Sequence, residues 1–92
     1  MESDPRENAD LIPLETWLER VRTAADSPRD MTLSVRERGA LLELARVAAH
    51  SSERIAAPLS TFLAGVACAD LPTDERGAFV RRLTDSLSAG VR

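Results

Sequence analysis

The residues best equipped for chemistry lie in one run, His50-Ser51-Ser52-Glu53-Arg54-Ile55-Ala56-Ala57-Pro58-Leu59-Ser60-Thr61. It gathers an imidazole, several hydroxyls, a carboxylate and a guanidinium. If a helix starts near Pro58, its first turn leaves backbone N–H groups at about Leu59, Ser60 and Thr61 without intrahelical partners. Those donors, the positive end of the helix dipole, Arg54 and His50 together suit an anion such as a phosphate. The same residues also have a purely structural use. His50 at a helix C-terminus is stabilised by the dipole there. Ser51 or Ser52 can bond to the turn backbone, and Arg54 can pair with Glu53 or another acid. Both readings stand. The candidate contact residues are therefore His50, Arg54, Ser60 and Thr61. Arg38 joins them because a helical wheel places it near an apolar face, either at the open end of a bundle or on a contact surface.

Catalytic constellations are poorly supported. A nucleophilic serine needs a base within hydrogen-bond reach and a third group to orient that base, and adjacent residues such as His50 and Ser51 at a helix end rarely aim at one another. The 15 acidic residues scatter over polar faces, and no two stand out as a general acid–base pair. All 12 basic residues are arginine, which removes lysine chemistry such as Schiff bases and the P-loop lysine. No catalytic residue, metal ligand set or cofactor is assigned. One cysteine, Cys68, and one histidine cannot make a disulfide framework or a four-ligand zinc site.

Four elements are expected to position these groups. Pro13 to Ala25 carries Leu14, Trp17, Leu18, Val21 and Ala25 in one apolar stripe, with Trp17 read as core. Val35 to His50 is introduced by Ser34 and Glu37 at capping-box spacing. Its broad apolar face (Leu41, Leu42, Leu44, Ala45, Ala48 and Ala49) predicts a mostly buried helix. Pro58 to Ala69 has a large apolar face of Leu59, Phe62, Leu63 and Val66. A second face of Thr61, Ala64, Gly65 and Cys68 is made of small residues that allow close helix approach. Two packable faces put this third helix at the centre of a bundle. Asp74 to Ala89 follows a Thr73 cap, with Phe79, Val80, Leu83 and Leu87 facing inward. No segment alternates with period two. The expected fold is all-α: a compact four-helix bundle with short loops, one helical domain over residues 11–92, preceded by a disordered tail over residues 1–10.

Composition sets the remaining bounds. The 92 residues are 43 % hydrophobic and only 3 % aromatic, so the core must be built from Leu, Val and Ala. A chain this short buries only about 60–65 % of its unfolded surface. Homodimerisation is thus left open, since pairing would add stability and no face is singled out for it. A net charge of −3 with both signs interspersed argues against a nucleic-acid partner. No apolar run reaches the roughly 20 residues of a membrane span. The lack of a disulfide framework and of a signal peptide points to the cytoplasm.

The segments Leu41-Leu42-Glu43-Leu44-Ala45-Arg46-Val47-Ala48-Ala49-His50 and Glu53-Arg54-Ile55-Ala56-Ala57-Pro58-Leu59-Ser60-Thr61-Phe62-Leu63-Ala64-Gly65, with Trp17-Leu18 upstream, carry a family likeness. The chain resembles a small uncharacterised helical domain of actinobacteria. That domain is found alone or fused C-terminally to nucleotidyltransferases resembling molybdenum cofactor guanylyltransferase. The likeness covers about Leu14 to Leu87. It implies no catalytic residues. It implies instead an accessory or interaction module with a protein partner, either such a nucleotidyltransferase or a molybdoenzyme assembly factor. A small anion- or nucleotide-binding module at the start of the third helix is the alternative.

Overall fold

A computed structural model describes residues 11–90. The tail expected over residues 1–10 lies outside the described residues. Four helices follow in order: α1 (Leu14–Ala25), α2 (Val35–Ser51), α3 (Ala56–Ala67) and α4 (Thr73–Gly90). Among the described residues there is no strand, so the all-helical class and the four expected helices are observed. By internal contacts the chain divides into two compact units, residues 1–31 and 32–92.

The first unit contains α1. Pro13 precedes its first turn, and the Pro13 carbonyl accepts the Trp17 N–H at 2.9 Å. The helix stops at Asp26, which takes the left-handed conformation (φ 48°) and donates its N–H to the Arg22 carbonyl at 3.1 Å. A short polar residue tolerates that conformation better than most. Arg22 also reaches over the following loop: its Nη1 donates to the Met31 carbonyl at 3.4 Å. The apolar stripe of α1 has the expected helical spacing, but α1 buries no residue. Trp17, expected in the core, is 51 % exposed, and Leu14 and Val21 are exposed as well.

The second unit is built on α2. Its start is fixed by the expected capping box: Ser34 Oγ accepts the Glu37 N–H at 3.0 Å, and the Ser34 N–H donates to Glu37 Oε1 at 3.2 Å. This satisfies two of the donors that a helix start leaves open. α2 packs against both α3 and α4. The helix in the middle is therefore α2, and the central place expected for the third helix is corrected. The core is Ala40 and Leu44 from α2, Ala64 from α3, Cys68 just beyond it, and Val80 from α4. Leu41, Leu71, Phe79 and Leu83 close around them. Leu44 is the largest fully buried side chain, the one long residue set among small neighbours. The apolar face of α2 is narrower than expected, since Leu42 is exposed.

Three hydrogen bonds from Arg76 tie α4 to the start of α2 and the residues just before it. Arg76 Nε donates to Glu37 Oε2 at 2.7 Å, and its Nη2 donates to Glu37 Oε1 at 3.2 Å and to the Thr32 carbonyl at 2.8 Å. Both side chains are largely buried, at 14 % and 6 % exposure. Gly77, next to Arg76, lies close against the first turn of α2. A Cβ there would lie 2.9 Å from Arg36 Cγ and 3.4 Å from the Glu37 nitrogen. The missing side chain lets Arg76 reach Glu37.

Candidate interaction surface

The distribution of side-chain size around α3 decides what this unit offers its surroundings. Successive helical residues are about 100° apart, so Leu59, Phe62, Leu63 and Val66 share one side and Ala57, Ala64 and Cys68 lie roughly opposite. The small side is the one that packs. Ala64 is 1 % exposed and Cys68 is buried with it, against Ala40 and Leu44 of α2. Small side chains let the two helix axes approach closely, and Leu44 fills the space they leave. The large side faces outward: Phe62 is 69 % exposed, and Leu59, Leu63 and Val66 are similarly open. The expectation that both faces of this helix are buried is thereby corrected. Ile55, immediately before α3, extends the exposed apolar surface.

α3 is also uncharged. Its sequence, AAPLSTFLAGVA, contains no Asp, Glu, Arg or His, whereas α1, α2 and α4 each carry both signs. A helix that is apolar on its outer face, with no charge along its length, is unusual on a protein surface. Contiguous exposed apolar patches of this kind mark contact sites.

The residues singled out from sequence lie around this surface without converging. α2 runs to Ser51, and the Ser52 N–H caps it by donating to the Ala48 carbonyl at 3.0 Å. A tight turn then leads into α3. Its N–H donors are already used: Ala56 donates to the Glu53 carbonyl at 2.9 Å and Ala57 to the Arg54 carbonyl at 3.2 Å. Pro58 has no N–H to offer. Because α3 begins at Ala56, the N–H groups of Ser60 and Thr61 fall within the regular helix, not at its open start. The Thr61 hydroxyl donates to the Pro58 carbonyl at 3.0 Å. Of the donors expected over Leu59–Thr61, those of Ser60 and Thr61 thus lie within the helix, and Arg54 and His50, the side chains of the anion-binding alternative, are both exposed. Arg38 is half-buried in the first turns of α2. It stands twelve positions before His50 on one helix, about 18 Å away along the axis.

Electrostatics around the unit are local. On the outer side of α2, Arg46 Nη2 donates to Glu43 Oε2 at 2.6 Å, and this hydrogen bond holds the Glu43 carboxyl below its ordinary pKa. Burial pushes the Cys68 thiol up, so it stays protonated near neutrality and behaves as a small core residue. Among the described residues, no group of three or more His, Cys, Asp or Glu could hold a metal ion. No helix among them is long and apolar enough to cross a membrane.

Sequence reasoning recognised the residues of the outward face but assigned them to the core. It missed the Glu37–Arg76 pair altogether. A Glu in a capping box gives no sign that its carboxylate also meets an arginine 39 positions away.

Comparison with protein families gives one match. The model of a domain of unknown function, DUF6457, covers residues 10–91. The chain belongs to the DUF6457 family. The match takes in all four helices of this DUF6457 chain, α3 with its outward apolar face included. Neither the curated proteins nor the solved structures compared with it contain a match.

Proposed function

We propose that this DUF6457 domain is a non-catalytic interaction module that works through the outward face of α3. The observation that carries the reading is the inverted helix. Its small residues are spent on internal packing while Leu59, Phe62, Leu63 and Val66 stand in water. Exposing large side chains that could have been buried forgoes about 1.5–3 kcal/mol apiece, and a contact that covers them recovers part of it.

The finer reading places the module in the cytoplasm, as an accessory to molybdenum cofactor nucleotidylation or molybdoenzyme maturation. It rests on the resemblance to domains fused behind guanylyltransferase-like enzymes. A separate chain would supply in trans what the fused versions hold in cis. Arg38, His50 and Arg54 are then the polar side chains proposed to orient a partner.

Amide NMR of the labelled chain, titrated with a purified molybdenum cofactor guanylyltransferase-like nucleotidyltransferase, tests this. Shifts or broadening over Ile55–Val66 are expected. A spectrum unchanged at saturating enzyme overturns the molybdenum link.

A further inference from the structure

We draw no further inference here: the strongest candidate, the apolar outer face of α3 formed by Leu59, Phe62, Leu63 and Val66, belongs to the surface already described, and nothing in the structure shows what covers it.

Discussion

Phe62 and Ala64 stand two residues apart on α3 and point in nearly opposite directions: Ala64 is buried against α2, and Phe62 projects into solvent. In most amphipathic helices the larger side chain would be the buried one. The inversion follows from α2. Leu44 already fills the space between the helices, so the facing surface must be small, and Ala64 and Cys68 supply it. With Leu44 as the one large, fully buried side chain, this small core depends on it heavily. Leu44→Ala is expected to lower stability by about 2–5 kcal/mol, read from urea unfolding, through lost transfer energy and the cavity left behind. A loss below about 1 kcal/mol would mean that the core is not organised around this residue.

Arg76 and Glu37 make the second structural demand. A buried ion pair is not strongly stabilising in itself, but removing one partner strands the other. Arg76→Ala leaves a carboxylate at 6 % exposure without its guanidinium and is expected to cost about 3 kcal/mol. The double variant Glu37→Gln, Arg76→Met removes both charges and is expected to be less destabilised than Arg76→Ala alone. Equal losses in the two variants would show that the pair acts by packing and not by charge.

Cys68 gives a pH prediction with a definite sign. Burial raises the thiol in the folded chain above its unfolded value of about 8.5. Its contribution to stability is therefore fully present below that unfolded value. It is lost as pH rises, because the unfolded chain releases the proton first. The sequence has no Lys and no Tyr, so few other groups titrate in this window. Urea midpoints are expected to fall as pH rises beyond about 8.5, and Cys68→Ala should flatten that decline. An unchanged slope in the variant would assign the alkaline loss to another group. Alkylation of Cys68 at neutral pH is expected to be slow and to accelerate in urea.

Much of this fold is legible in the sequence. Ser34 and Glu37 mark the start of α2, Pro13 and Pro58 lie at or near helix starts, and periodic apolar residues outline all four helices. The packing is less legible, for specific reasons. A helix such as α3, apolar or small all round, has no charged stripe to announce its outer side, so its two faces look equally fit for burial. The turn before α3 begins at Glu53, earlier than Pro58 suggests. Its Glu53 and Arg54 carbonyls accept the Ala56 and Ala57 N–H groups, so the helix starts early and Ser60 and Thr61 lie inside it. The Glu37–Arg76 pair joins two residue types that usually face water, and only the tertiary approach permitted by Gly77 brings them together.

The central claim is that the large side chains of α3 face outward, available for a contact. Its most direct test is the stability of Phe62→Ser, measured by urea unfolding. With Phe62 in solvent, the change is expected to stay within about 0.5 kcal/mol of wild type, far below that of Leu44→Ala. A loss of about 3–5 kcal/mol, the cost of truncating a core phenylalanine, would contradict it.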